Sequence, residues 1–394
     1  MATSLLEMRI LDGPNLYFPH AAVRLTLDVR RLVDAPDDEA AALASSIGLR
    51  HATPGPTGTG FRQRFAARAL ARLVRQVATE AGTHRLPVRV RPERDVHRLV
   101  VAYPWRHRSR AEALGRAVAE VLDTLPVDDV DGLVERAASR VRDADLGPGP
   151  GALRPRIPVV AVAGSKGKTA TCRLLVRMGR AAERCVGWAT TDGLYVDGAR
   201  VEVGDHSGPS GPGRLLARPE VDLAVAETAH HSIVLGGIGV THNDVSVVTN
   251  VAADAPGVAG ADTADQLAEV KAVVTRITRS DGWCVLNGDD PRVWSMRALT
   301  PARPWVFSCD PLAPAIRAVL ADGGRATTLM DDCICVLGRG QDPDPLVGLA
   351  DVAPNAGGSP PYAVQNALAA VSAGLAVGLP RAAVVTGLVE GGAD

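Results

Sequence analysis

The stretch AVAGSKGKTATCR, residues 161–173, follows an apolar run and holds two of the three lysines in a chain of 394 residues. The third is Lys271, and the other forty of the 43 basic side chains are arginine. A codon bias accounts for an arginine-rich chain but not for where its lysines fall. PVVAVAG (158–164) suits a buried strand and the residues from Lys168 onward suit a helix, so the glycines occupy a strand-to-helix turn. There Gly164 and Gly167 leave backbone N–H groups free to close around phosphate oxygens, and the positive end of the helix points at them. Ser165 and Lys166 complete the loop, Lys168 is placed to bridge β- and γ-phosphates, and Thr169 to offer its hydroxyl to Mg²⁺. G-S-K-G-K-T is a shortened form of the phosphate-binding loop, because Val162 stands where the full pattern has its first glycine.

Working outward, strand-like runs alternate with helical stretches: CVGWATT (185–191), VDLAVAET (221–228), VSVVTNV (245–251) and GWCVLNG (282–288). Continuous apolar runs of this kind suit strands covered on both faces, and the intervening helices imply an α/β fold with a doubly wound, mostly parallel sheet. Ligands in such sheets bind beyond the carboxyl ends of the strands. Polar residues gather at those ends: Thr190 to Asp192, Glu227, Asn250 with Asp254, and Asn287 with Asp289 and Asp290.

Upstream of GPGPGALRPRIP (147–158), whose Gly and Pro content reads as a linker, the pattern differs. Residues 1–146 combine strand-like VRLTLDV (23–29) and LVVAYP (99–104) with long helices, which predicts a small α+β domain ahead of the α/β domain of 159–394. In the helix from residue 61, Phe61, Phe65, Ala69, Leu73 and Val77 form an apolar stripe, and Arg64, Arg68, Arg72 and Arg75 line another face. Between Arg62 and Arg116 there are 14 Arg against four acids, which fits either a solvated face or an acidic partner.

Composition narrows the class. A content of 46% hydrophobic and 22% charged residues describes a globular protein too long for one ordinary core. The net charge of −1 gives no whole-chain argument for nucleic acid or an anionic membrane. The start of the sequence lacks an apolar leader and no run is long enough to span a bilayer, so a cytoplasmic protein is expected. The six cysteines form no C-x-x-C pair, so reduced structural thiols are expected.

From about Ile157 to Gly387 the chain resembles the Mur ligase family, most closely the Mur-like half of cyanophycin synthetases. The resemblance is carried by G-S-K-G-K-T, TTDGLYVDG (190–198), AETA (226–229), VVTNVAAD (247–254), QLAEVKAVV (266–274), VLNGDDP (285–291) and QNALAA (365–370), in that order. Residues 1–146 are similar to the amino-terminal domain of the same enzymes through LDGPNLYFPHAAVRLTLDV. The ATP-grasp domain that lies between those regions in the relatives has no room here.

The resemblance implies an ATP-dependent ligase: a carboxylate takes the γ-phosphate of ATP as an acyl phosphate, and an amine displaces the phosphate. The implied partners are ATP, an acidic or peptide substrate and an amino acid. By the same resemblance Lys168, Lys271 and Glu227 are catalytic, Lys271 being the family lysine that becomes carbamylated. Thr169, Thr191 and Glu227 would hold Mg²⁺, and Asn287, Asp290 and Asn366 the nucleoside. An arginine could not replace Lys271, because its guanidinium stays protonated.

Departures sit beside the matches. Ala255 stands where relatives place a histidine ligand for a second metal, and His230, His231 and Ser232 replace their Arg-Gly-Gly. Tyr362 and Ala363 replace His-Asn ahead of Asn366. Only 14 residues follow Pro380, which leaves the third Mur domain outside the sequence and points to a separate chain that supplies it. Two classes therefore stand: an acid–amino acid ligase, and a nucleotide-binding pseudoenzyme or regulatory subunit with a degenerate metal site.

Overall fold

A computed structural model describes residues 3–49, 53–125, 129–252, 263–352 and 362–390. The chain forms two compact units, Met1–Asp12 with His20–Gly151, and Gly13–Pro19 with Ala152–Asp394. Among the described residues no helix is long and apolar enough to cross a membrane.

The first unit is built on an antiparallel sheet of β1 (Leu5–Leu11), β2 (Ala22–Asp28), β3 (Arg89–Pro92) and β4 (Arg98–Pro104), in the order β1-β2-β4-β3. Alternation in β2 sends Val23, Leu25 and Leu27 into a core shared with Leu99, Val101 and Tyr103 of β4. The helices Gly60–Glu80, Arg108–Thr124 and Val130–Asp143 close that core. Four members of the expected stripe, Phe65, Ala69, Leu73 and Val77, are buried, but Phe61 is 67% exposed, with the Arg64 guanidinium 4.4 Å above its ring. Its neighbour Arg62 is fully buried instead, donating to the carbonyls of Gly55 and Ala35 at 3.0 Å and pairing with Asp37. The first helical turn faces a loop whose carbonyls need donors, and that need overrides the apolar pattern. Arg64, Arg68, Arg72 and Arg75 are exposed.

The second unit contains an eleven-stranded sheet. Its strands are β5 (Val159–Ala163), β6 (Val186–Ala189), β7 (Gly193–Val196), β8 (Ala199–Val203), β9 (Leu223–Glu227), β10 (Asn243–Val248), β11 (Thr278–Asn287), β12 (Arg303–Ser308), β13 (Arg325–Met330), β14 (Cys333–Gly338) and β15 (Asp344–Gly348). The order is β15-β14-β13-β12-β11-β10-β5-β9-β6-β7-β8. Pairing is parallel from β13 through β6, and antiparallel hairpins extend both ends. The five runs read from the sequence are five adjacent parallel strands, β11, β10, β5, β9 and β6. Val160 and Val162 of β5 pack into one core with the helices Lys168–Ala181, Tyr362–Ala376 and Arg381–Val389. Val159 packs into another with Leu215, on the opposite face. The fold is α/β, with a large, mostly parallel sheet covered on both sides.

Because β5 lies between β9 and β10, the turns after these three strands open at one sheet edge. All six cysteines are free thiols.

Candidate functional site

The site begins where β5 ends. Gly167 caps the helix Lys168–Ala181 with φ of 85°, a left-handed conformation that glycine alone adopts without strain. A Cβ there would lie 2.1 Å from Oδ1 of Asn366, and one on Gly164 would lie 1.9 Å from Oγ1 of Thr249. Both glycines are therefore required by close approach as well as by the turn. The loop is braced from β10: the Asn250 side chain accepts from the Lys166 amide at 2.9 Å and donates to its carbonyl at 3.0 Å. Thr249 Oγ1 donates to the same carbonyl at 2.6 Å, and Ser165 Oγ accepts from the Ala252 amide at 2.9 Å.

Behind the loop, Glu227 ends β9 at 2% exposure. Its Oε2 accepts the Thr169 hydroxyl at 2.7 Å, and its Oε1 lies 3.7 Å from Nζ of Lys168, which also donates to the Ser165 carbonyl at 3.3 Å. A carboxylate, a hydroxyl and an ammonium thus converge on the mouth of a glycine turn. Lys166 reaches the other way, its Nζ 5.6 Å from the centre of the Tyr362 ring.

Lys271 ends the helix Ala264–Lys271 and is 2% exposed, with no hydrogen bond or ion pair among the described residues. Burial, then the Lys168 charge, lowers its pKa to about 8. His230 opens the helix His230–Gly236, and its Nε2 is enclosed without a hydrogen-bond partner. Burial, then Lys271, His231 and Lys168, bring its pKa down to about 4, so the ring is neutral at pH 7. His231 turns aside, its Nε2 3.7 Å from the Asp205 carboxylate.

The structure brings Gly164, Ser165, Lys166, Gly167, Lys168, Thr169, Glu227 and Asn366 together. Asn287 and Asp290, the residues to which the resemblance gives a nucleoside role, also brace the backbone at this edge. Asn287 is 2% exposed, donating to the Thr249 carbonyl at 2.7 Å and accepting from the Asp289 amide at 2.9 Å. Asp290 caps the helix Pro291–Ser295 through the amides of Arg292 and Val293 and accepts from the Val251 amide at 2.7 Å. With both ends of each side chain engaged, they fasten the turn after β10. Thr191 is exposed, and its side chain makes no hydrogen bond to Glu227 or Thr169. Asp254 and Ala255 lie outside the described residues. Thr249 and Asn250 lie in VVTNVAAD and Asn250 at a strand end, but neither signal announced a bracing role.

Residues 162–324 match the family model described as the Mur ligase middle domain. A cyanophycin synthetase of Trichormus variabilis is 38% identical over 215 residues, which cover 55% of this chain and 24% of that protein. A UDP-N-acetylmuramoyl-L-alanyl-D-glutamate–2,6-diaminopimelate ligase of Chlorobaculum tepidum is 28% identical over 255 residues, 59% of this chain and 45% of that one. A solved structure of a ligase of that name superposes with a TM-score of 0.45 at 16% identity, over 66% of this chain and 49% of the other. The matched stretch spans about a quarter of the length of the curated cyanophycin synthetase. The central region of this chain, residues 162–324, thus matches the Mur ligase middle domain and is similar to that part of cyanophycin synthetases and Mur ligases.

Proposed function

We propose that the second unit binds ATP with Mg²⁺ at Gly164–Thr169 and serves amide ligation of an acidic or peptide substrate to an amino acid through an acyl phosphate. The observation that carries this reading is the convergence of Lys168, Thr169 and Glu227, with Thr169 Oγ1 2.7 Å from the buried carboxylate. That donor set fits the expected groups. A hydroxyl and a carboxylate are hard oxygen ligands suited to Mg²⁺, and the loop keeps the side-chain-free surface that a phosphate chain needs. When bound, ATP supplies the phosphoryl group that activates a carboxylate, and Mg²⁺ neutralises the phosphate charge.

This chain's residues supply the rest. Lys168, held by one loop carbonyl and Glu227, is placed to turn its ammonium onto the phosphates. Asn366 packs against Gly167, its Oδ1 2.1 Å from where a Cβ would lie, so the turn at the proposed amide nest stays free of a side chain. Lys271 lies near enough to neutral to lose its proton close to physiological pH, as carbamylation of its amine requires.

The test is calorimetric titration of ATP with and without Mg²⁺, for the wild-type chain and for Lys168→Ala. Wild-type binding that depends on Mg²⁺ and weakens by roughly 2–4 kcal/mol in the variant is expected. Negligible heats for both proteins would sink the proposal. ADP release on addition of amino acids and acidic peptides then separates a ligase from a binder.

A further inference from the structure

We propose that His230 is a positioning residue, donating a hydrogen bond from Nε2 to Lys271 held as its carbamate. The inference rests on the reading of Lys271 given under the proposed function and adds the group that holds it. The helices His230–Gly236 and Ala264–Lys271 pack against each other. Nε2 of His230 is enclosed and without a hydrogen-bond partner, and the Lys271 side chain, 2% exposed and with no acceptor among the described residues, lies within electrostatic reach of that ring. A buried polar nitrogen left unpaired is costly, and so is a cationic amine on a side chain taken out of water.

One modification resolves both. The neutral ε-amine of Lys271 adds to CO₂: an N–C bond forms, one C=O π pair moves onto oxygen, and an N–H proton leaves to solvent. The product is an anion with two acceptor oxygens, longer than the lysine and able to meet an imidazole N–H. The surroundings favour that anion. Lys168 and the His231 ring lie within electrostatic reach of His230, while the carboxylate of Glu227 is already engaged by Thr169 and Lys168. The depressed pKa values of Lys271 and His230 agree, since the amine must be neutral to react and a neutral ring can carry its proton on Nε2.

The experiment is ¹³C NMR of the full chain equilibrated with ¹³C-bicarbonate, comparing wild type with Lys271→Arg, His230→Ala and His230→Gln, each checked for folding by thermal melt. A carbamate resonance is expected in the wild type and absent in Lys271→Arg. Its apparent affinity for CO₂ should fall roughly tenfold in His230→Ala, the scale of a lost charge-assisted hydrogen bond, and largely return in His230→Gln, whose amide can donate. In the wild type, without any substitution, the imidazole ¹⁵N resonance of His230 Nε2 should move as bicarbonate is added. No resonance in the wild type would overturn the reading of Lys271 and this proposal together. Equal occupancy in wild type and His230→Ala, or a static Nε2 resonance, would overturn the role of His230 alone.

Discussion

Replacing Gly167 by alanine tests whether the turn, rather than the lysine beside it, sets the geometry of the loop. Gly167 holds φ of 85°, and its would-be Cβ lies 2.1 Å from Oδ1 of Asn366, which is 2% exposed. The left-handed backbone costs an L-residue about 1–2 kcal/mol. Forcing a methyl against a buried amide that has little room to retreat adds about 1–3 kcal/mol. The combined loss of about 2–5 kcal/mol corresponds to a Tm fall on the order of 10 °C for a unit of this size. Differential scanning calorimetry reads it directly. The double variant Gly167→Ala/Asn366→Ala separates the terms: truncating Asn366 relieves the overlap but not the φ strain, so the two substitutions should couple by about 1–3 kcal/mol. A Gly167→Ala protein that melts within roughly 1 °C of wild type and keeps its MgATP affinity would refute the argument, because neither strain nor collision would then exist.

Other consequences follow from the same geometry. Arg62→Leu should cost about 2–3 kcal/mol in urea unfolding of the first unit, since it strands the carbonyls of Gly55 and Ala35, while Asp37, 80% exposed, is simply re-solvated. Lys271→Met should stabilise the second unit in CO₂-free buffer near pH 7 by up to about 3 kcal/mol. The folded pKa of about 8 lies below the ordinary lysine value of 10.5, so the unfolded chain binds the extra proton between those pH values. Wild-type stability therefore rises over that window and the advantage of the variant fades toward its upper end, as denaturant melts at stepped pH would show. Glu227→Gln removes the charge that accepts from Thr169 and pairs with Lys168, so ATP binding should lose most of its dependence on Mg²⁺ in a calorimetric titration.

Much of the second unit could be read in the sequence because its central strands are buried on both faces. VVAVA, LAVAE and the end of β11 leave almost no polar interruption, and such runs have few other uses in a chain of this composition. The sheet's margins gave no comparable signal. ARVEV of β8 is exposed along most of its length, and DPLVG of β15 opens with an exposed Asp-Pro. These segments are strands because a neighbour offers a ladder, which is a tertiary fact. Gly13–Pro19 illustrates the same limit: the Pro14 carbonyl accepts from the Ile238 amide at 2.7 Å, a contact across more than two hundred residues that no local pattern announces.

In the site, the contiguous loop from Gly164 to Thr169 was legible because turn, phosphate nest and helix start share six residues. Convergence from other strands was harder to read. Asn287 and Asp290 sit where ligands were expected and also bond the backbone turns that shape the edge, a bracing role that strand-end polarity did not announce. A strand-end polar residue has two possible uses, binding or bracing, and only the count of its satisfied atoms separates them. The lysines show the converse. Lys166 holds its Nζ 5.6 Å from the centre of the Tyr362 ring, a cation–π contact that an arginine can also make. At Lys271 the burial that brings the amine to about 8 would leave a guanidinium still charged, so the choice of lysine there has a chemical cause that composition alone does not reveal.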